Sequence, residues 1–138
     1  LLEQFHNVIA GVKGLKPEYA AVITDICHKM GVGMAKYLTA KVVSVADYEE
    51  YCHYVAGLVG YGLSGLFGAS GLEDKRFGTE EFNTISNSMG LFLQKTNIIR
   101  DYLEDIQQSP PRVFYPKEIW SLYVKEVADM QVSSGHYE

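Results

Sequence analysis

Three oxygen-bearing side chains recur at four-residue steps late in the chain: Asn97, Asp101 and Asp105. On an α-helix, that spacing places successive side chains about 6 Å apart along one face. Carboxylate and amide oxygens are the ligands that hard cations such as Mg²⁺ prefer, and substrate phosphates and water complete the shell. The spacing is compatible with a magnesium and diphosphate site, and equally with a solvated acidic helix end, which has the same pattern.

The charges of this cluster also predict a change in carboxyl pKa. Without a cation, Asp101, Asp105 and the neighbouring Glu104 repel one another, so at least one carboxyl pKa should be raised. Lys95 and Arg100 lie beside the cluster, where they would bind diphosphate or else pair with Glu80 and Glu81 and contact solvent.

The helix that carries these residues is predicted to run from Glu80 to Gln107, with Thr79 as its N-cap. One of its faces contains amides, a glycine and carboxylates in place of the usual surface lysines and glutamates. We predict that this polar face lines a cavity and that the opposite apolar band packs against other helices. The polar face contains Asn87, Gly90, Gln94, Asn97, Asp101 and Asp105, and the apolar band contains Ile85, Phe92, Thr96, Ile99 and Leu103.

Helical periodicity also dominates the rest of the chain, which predicts an all-α fold. A helix from Pro17 to Leu38 would bury an apolar stripe, and a shorter helix would run from Pro116 toward Met130. A helix from Val45 to Phe67 would start at a capping box formed by Ser44 and Asp47. The buried stripe of the Pro17 helix would contain Ile23, Ile26, Cys27, Met30, Met34, Tyr37 and Leu38.

The Val45–Phe67 helix contains four glycines within nine positions, although glycine disfavours helix. They would allow either close approach of a neighbouring helix or room for a ligand. Tyr51 shares one predicted face of this helix with Val55, Leu58, Gly62 and Leu66. Cys27 and Cys52 are predicted to be small core residues, because they have no partners at zinc-site spacing.

The composition of the chain disfavours some classes of partner. The 138 residues carry 12 Lys and Arg against 17 Asp and Glu, a net charge of −5, which disfavours nucleic acid as a partner. The longest nearly apolar run, Val55 to Phe67, is too short to span a membrane. We expect residues 1–138 to form a single partial domain from within a longer helical protein, because the chain starts at Leu1 and lacks a clear domain end.

Two runs resemble the squalene synthase family of head-to-head isoprenoid synthases: YCHYVAGLVG at 51–60 and SMGLFLQKTNIIRDYLED at 88–105. The segment FYPKEIW at 114–120 resembles the stretch that comes after the second aspartate-rich motif in that family. The resemblance implies part of an isoprenoid synthase helical bundle with a central substrate cavity. It also implies a first aspartate-rich motif, further C-terminal helices and a membrane anchor, none of which this sequence contains.

The resemblance further implies an activity and its residues. Two molecules of farnesyl diphosphate condense to presqualene diphosphate, which is reduced with NADPH to squalene in sterol biosynthesis. Tyr51 would be catalytic as an acid, a base or a carbocation stabiliser, and Asp101, Asp105 and Asn97 would bind Mg²⁺. Gln94, Val55, Leu58, Val59, Leu91 and Arg100 would bind the substrate.

The family resemblance implies the cellular context in the same way. The complete enzyme would be monomeric and held on the cytosolic face of the endoplasmic reticulum membrane by its C-terminal anchor. The sequence has no Gly-rich nucleotide loop after a strand, so the NADPH site is not assigned. The alternatives are another head-to-head prenyl synthase, of the phytoene or dehydrosqualene type, and a non-catalytic helical relative that binds isoprenoids.

Overall fold

The computed structural model describes residues 2–130, and every regular element in that range is helical. The predicted all-α fold is confirmed. Residues 1 and 131–138, which belong to the predicted partial domain 1–138, lie outside the described residues. The α-helices are α1 Phe5–Lys13, α2 Pro17–Lys36, α3 Val45–Cys52, α4 Leu58–Ser70, α5 Glu80–Arg100, α6 Tyr102–Ile106 and α7 Lys117–Trp120, and 3₁₀ turns span Leu2–Gln4, Lys75–Gly78 and Val127–Met130.

Helices α3 and α4 form one helical rod, joined by a π-helical turn at His53–Gly57. The predicted capping box starts the rod: Ser44 Oγ accepts from the Asp47 backbone N–H at 3.1 Å, and Asp47 Oδ2 accepts from the Ser44 N–H at 2.8 Å. The rod ends where Gly71 adopts φ 72°, a left-handed conformation that glycine permits without strain. The predicted helix Val45–Phe67 is therefore present, with a π turn that the periodicity did not indicate.

Glycines let the rod and α5 pack almost backbone to backbone. A Cβ added at Gly60 would lie 2.5 Å from the Ser86 carbonyl oxygen, and one at Gly90 would lie 2.6 Å from the Ala56 carbonyl oxygen. Ser64 Oγ and Ser86 Oγ join the same interface with a 2.6 Å hydrogen bond. Close helix approach, the first of the two alternatives, therefore accounts for Gly60, and an added Cβ at Gly62 or Gly65 would likewise lie 3.2 or 3.4 Å from a side chain of α2.

We predict that Gly90→Ala destabilises the fold by about 1–3 kcal/mol, because the added Cβ meets backbone atoms that have nowhere to move. Gly31→Ala is the matched control, since Gly31 lies inside α2 with nothing within 4 Å of an added Cβ. That change should stabilise the fold by about 0.5–1 kcal/mol. Urea unfolding followed by circular dichroism measures both, and equal effects would contradict the contact-based explanation.

The packed side of α5 is the opposite of the predicted one. Ile85, Phe92 and Ile99 are 62%, 61% and 70% exposed within residues 2–130, so the prediction that the apolar band packs against other helices is wrong there. Asn87 and Gly90 instead contact the π turn, which corrects their placement in a cavity. Their small size and the amide's hydrogen bond allow the helices to approach closely, whereas the bulky apolar band would hold them apart.

The prediction for α2 is also right at some positions and wrong at others. Ile26 and Met30 are half-buried, as its predicted stripe requires, and Pro17 occupies its first turn. Cys27 is exposed, so its assignment to the core is wrong, and Met34 and Leu38 are 55% and 83% exposed. Within residues 2–130, the covered part of the stripe faces α4 and the π turn, and Tyr37 at its end packs against Tyr51 of α3.

Two predicted helix ends also need correction. The predicted Glu80–Gln107 helix is interrupted at Asp101, with φ −91° and ψ 4°, although the Asp101 N–H still donates to the Asn97 carbonyl at 2.8 Å. Thr79 is the N-cap residue, but its hydroxyl donates to the Arg76 carbonyl rather than accepting from the helix.

The helix predicted from Pro116 toward Met130 ends at Trp120. Its first turn is fixed by tertiary hydrogen bonds, in which the Lys117 and Glu118 N–H groups donate to the Val42 and Val43 carbonyls. After Trp120 the backbone forms 3₁₀-type hydrogen bonds between residues three apart, such as the one that the Tyr123 N–H donates to the Trp120 carbonyl.

Among residues 2–130, no helix is both long and apolar enough to cross a membrane.

Candidate active site

The candidate site lies against the main apolar cluster, where α2, α3, α5 and the segment after α6 meet. Cys52 is completely buried in that cluster, as predicted, and burial raises the pKa of its thiol to about 11. The thiol therefore stays neutral and packs as a small apolar group. The cluster consists of Val42, Tyr48, Cys52 and Ile98, with Tyr37, Tyr51, Leu91 and Phe114 packed against it.

Tyr51 is half-buried between two other aromatic rings. Its ring stacks on Phe114, with centroids 5.0 Å apart and planes 13° apart, and makes an edge contact with Tyr37 at 5.2 Å. Its hydroxyl makes no hydrogen bond to any residue in the range 2–130. Burial raises the pKa of Tyr51, and the nearby Asp105 carboxylate raises it further. Tyr51 is therefore a neutral phenol whose ring is held and whose hydroxyl is available.

Asp105 and Asp101 differ in their electrostatic environment. Burial raises the pKa of Asp105, the charge of Asp101 adds to the increase, and Arg112 opposes it. The hydrogen bonds from Arg100, at 2.6 Å to Oδ1 and 2.9 Å to Oδ2, lower the pKa of Asp101. The pKa of Asp105 is raised as expected, although burial contributes more to the increase than the expected repulsion between carboxylates does.

The donor set fits a magnesium ion that takes most of its ligands from elsewhere. Asp101, Asp105 and the half-buried Asn97 supply hard oxygen donors one helical turn apart. Within residues 2–130, no group of three His, Cys, Asp or Glu side chains is positioned to hold a metal. A protein that provides one or two carboxylates and leaves the remaining positions to phosphates and water is typical of Mg²⁺ sites.

The residues predicted to bind substrate occupy different environments. Leu58 is buried at 4% exposure and Leu91 packs against the apolar cluster, whereas Val59 is 39% exposed. Val55 and Gln94 are half-buried, and Arg100 is exposed but paired with Asp101. A cavity of about 280 Å³ opens elsewhere, lined by Ile98, Ile99, Tyr102, Tyr115 and Met130. The substrate role of the six predicted residues stays a prediction.

Several residues at the site have no clear signal in the sequence. The periodicity predicts that Tyr37 is buried but gives it no role at the site. Phe114 is part of a segment that resembles the family, again without a role, and no pattern in the sequence indicates Glu50. Lys95, a candidate for binding diphosphate, has its ammonium 3.2 Å from the Glu49 carboxylate. Aromatic contacts between residues far apart in sequence, such as 51 and 114, leave no periodic signal within either segment.

Comparison with known proteins gives a consistent result. A sequence model of the family "Squalene/phytoene synthase" matches residues 1–136. Squalene synthase of Solanum lycopersicum is 54% identical over 132 residues, which are 95% of this chain and 31% of that protein. Squalene synthase 1 of Arabidopsis thaliana is also 54% identical, with 32% of its length covered. The chain therefore spans about a third of the length of these relatives.

Solved structures agree with the sequence comparison. TcSQS in complex with the ligand BPH1237 is 53% identical and superposes with a TM-score of 0.86, over 91% of this chain and 36% of that one. TcSQS with the ligand E5700 gives a TM-score of 0.81 over 86% of this chain and 34% of that one. The helical fold, the family match and the identity to these enzymes show that this chain belongs to the squalene/phytoene synthase family.

Proposed function

We propose that the protein is a magnesium-dependent farnesyl-diphosphate farnesyltransferase of the squalene synthase type. It would condense two molecules of farnesyl diphosphate to presqualene diphosphate and reduce that product to squalene with NADPH. The observation that carries the proposal is the approach of two segments far apart in sequence: the half-buried Tyr51 stacks on Phe114 at 5.0 Å, and the Arg112 N–H joins that segment to the Asp105 carbonyl at 3.0 Å. A neutral phenol beside an acidic diphosphate-binding motif suits ionisation of an allylic diphosphate.

Each polar residue has a role in this proposal. Asp101, Asp105 and Asn97 would hold Mg²⁺, which supplies charge stabilisation to the departing diphosphate. Arg100 already holds both Asp101 oxygens, so it would move to the substrate diphosphate when the ion binds. Tyr51 would transfer a proton in the first step through its hydroxyl.

The apolar residues and the cellular context complete the proposal. Val55, Leu58, Val59 and Leu91 would wall the isoprenoid chains, and Gln94 would lie at the polar end of the same cavity. Apolar walls exclude the water that would otherwise capture a carbocation. We also propose that the enzyme is a monomer on the cytosolic face of the endoplasmic reticulum membrane, with a C-terminal anchor. Its NADPH-binding residues are not assigned.

A chimera tests the proposal directly. In the Solanum lycopersicum squalene synthase, the matching 132-residue segment is replaced by the aligned residues of this chain. We expect the chimera to form squalene from farnesyl diphosphate when Mg²⁺ and NADPH are present. The segment from this chain supplies Tyr51 and the proposed metal ligands Asn97, Asp101 and Asp105, and the rest of the chimera supplies the first aspartate-rich motif. The parent enzyme is the positive control. A chimera with the parent's circular dichroism and thermal midpoint but no prenyl product would contradict the proposal.

The second candidate function is that of another head-to-head synthase, because the family description "Squalene/phytoene synthase" covers both types. Product analysis distinguishes it from squalene synthase activity. The same chimera is incubated with and without NADPH, and the products are separated by mass spectrometry. Squalene with NADPH and presqualene diphosphate without it support the first proposal. A dehydrosqualene-type or phytoene-type product that does not depend on NADPH would support the second.

A further inference from the structure

The ring of Tyr51 is fixed by partners on two sides. Phe114 stacks on it at 5.0 Å, and Tyr37 approaches at 5.2 Å with the two ring planes 69° apart. Stacked and edge-on pairs at these distances are the favourable aromatic geometries. Tyr37 is the residue that caps the C-terminal end of α2, and Phe114 lies between α6 and α7. Tyr51 is therefore held by segments far away in sequence.

Tyr37 is itself anchored through its hydroxyl. The hydroxyl donates a hydrogen bond to Glu50 Oε2 at 2.6 Å and lies 2.9 Å from the Asp47 carbonyl oxygen. The Lys36 ammonium pairs with the same Glu50 oxygen. A hydrogen bond to a carboxylate is stronger than one between neutral groups, so the Tyr37 ring has one defined orientation. Both acceptors belong to α3, the helix that carries Tyr51.

We infer that Tyr37, anchored by Glu50, is a positioning residue that sets the orientation of Tyr51. The inference rests on the proposed function, because it assigns Tyr37 a role only through Tyr51. With Phe114 on one face and Tyr37 in edge contact, the Tyr51 ring has little freedom to turn, and its hydroxyl makes no hydrogen bond to any of the described residues, 2–130. Small misplacements of a reacting group lower turnover while substrate binding elsewhere is unchanged.

Tyr37→Phe in the active chimera tests the inference, because it keeps the ring and removes only the anchor. We expect kcat for presqualene diphosphate formation, measured without NADPH, to fall roughly tenfold. KM for farnesyl diphosphate should change by less than about twofold, since binding contacts remain. Glu50→Gln keeps an oxygen acceptor for the Tyr37 hydroxyl and should retain most of the activity. Glu50→Leu leaves only the Asp47 carbonyl, 2.9 Å from that hydroxyl, and should lower kcat by less than Tyr37→Phe does.

A double-mutant cycle separates positioning from general support of the fold. If Tyr37 acts through the Tyr51 hydroxyl, adding Tyr37→Phe to Tyr51→Phe should lower kcat no further. The same fall in both backgrounds would overturn the inference. Tyr48→Phe is the stability control, because Tyr48 is 6% exposed in the same cluster and makes no ring contact with Tyr51 among the described residues. It should leave kcat unchanged, and a fall equal to that of Tyr37→Phe would also overturn the inference.

The two hypotheses fail in different ways. A chimera that is folded but inactive contradicts the proposed function before any Tyr37 variant is made. An active chimera whose Tyr37→Phe variant has an unchanged kcat contradicts only the positioning role. A variant with a lowered thermal midpoint is assayed well below that midpoint, so that loss of folded enzyme does not contribute to the measured rate.

Discussion

Asp101→Asn and Asp105→Asn should each lower the magnesium-dependent turnover of the active chimera by roughly a hundredfold or more. Charge stabilisation by a bound metal supplies several kcal/mol to a reaction, and each 1.36 kcal/mol corresponds to about tenfold in rate. Asparagine keeps the shape of the side chain and removes the negative charge that would hold the ion. The measurement is steady-state turnover of farnesyl diphosphate across a range of Mg²⁺ concentrations.

The two substitutions should also differ from each other. Asp101 is already paired with Arg100, so Asp101→Asn frees a cation beside the diphosphate position as well as removing a ligand. Asp105→Asn removes a carboxylate whose pKa is raised by burial and which Arg112 influences only by its charge, without an ion pair among residues 2–130. The Mg²⁺ requirement should therefore rise more clearly in Asp105→Asn, because Arg100 competes with the ion for Asp101 and makes no hydrogen bond to Asp105 among the described residues.

A carboxylate outside the site provides the control for both variants. Asp25 pairs with Lys29 on the exposed side of α2, at 2.7 Å, and Asp25→Asn should leave turnover within about twofold of the starting enzyme. If both site variants keep full magnesium-dependent activity, the metal assignment to Asp101 and Asp105 is wrong.

Tyr51→Phe should reduce formation of presqualene diphosphate by about a hundredfold, the lower end of what a positioned acid or base contributes. Phenylalanine keeps the stacking on Phe114 and the edge contact with Tyr37, so the fold and the ring position are preserved. Only the hydroxyl is lost, and this hydroxyl is the group that the structure leaves without a partner within residues 2–130. Single-turnover measurement without NADPH isolates the first step from the later reduction.

The outcome distinguishes two roles for the same residue. A ring that stabilises a carbocation through its face would work almost as well in Tyr51→Phe, because the phenylalanine ring also attracts cations. Phe114 covers one face of the Tyr51 ring, which favours the hydroxyl. Tyr123→Phe, at a position that is 82% exposed, is the matched control and should have normal activity. Normal rates in Tyr51→Phe would exclude proton transfer by Tyr51.

Local sequence signals predicted the local features of the fold well. The Ser44 and Asp47 capping box, Pro17 in the first turn of α2 and the burial of Cys52 are all present as expected. Each depends on a few neighbouring residues or on a strong apolar preference. The four-residue spacing of Asn97, Asp101 and Asp105 also persists, because the backbone hydrogen bonds continue through the irregular residue 101.

Predictions that needed knowledge of a partner surface were less successful. The apolar periodicity of α5 identified a band that prefers to be covered, but periodicity does not reveal which neighbour covers it. Residues 2–130 contain the neighbours of the Asn87 and Gly90 side and leave Ile85 and Ile99 exposed. The chain spans about a third of the length of its relatives, so the remaining length of a relative has no counterpart in it.

The π turn at His53–Gly57 acts as a rotational offset within the rod. It accommodates one residue more than an α-helical turn, so each position after it is displaced by about 100° from a continuous α-helix. Leu58 and Gly62, which a continuous helix would align with Tyr51, are buried, while Val59 and Leu63 are 39% and 50% exposed. The number of residues in this turn, rather than their identity, therefore determines which side chains follow Tyr51 along the open side of the rod.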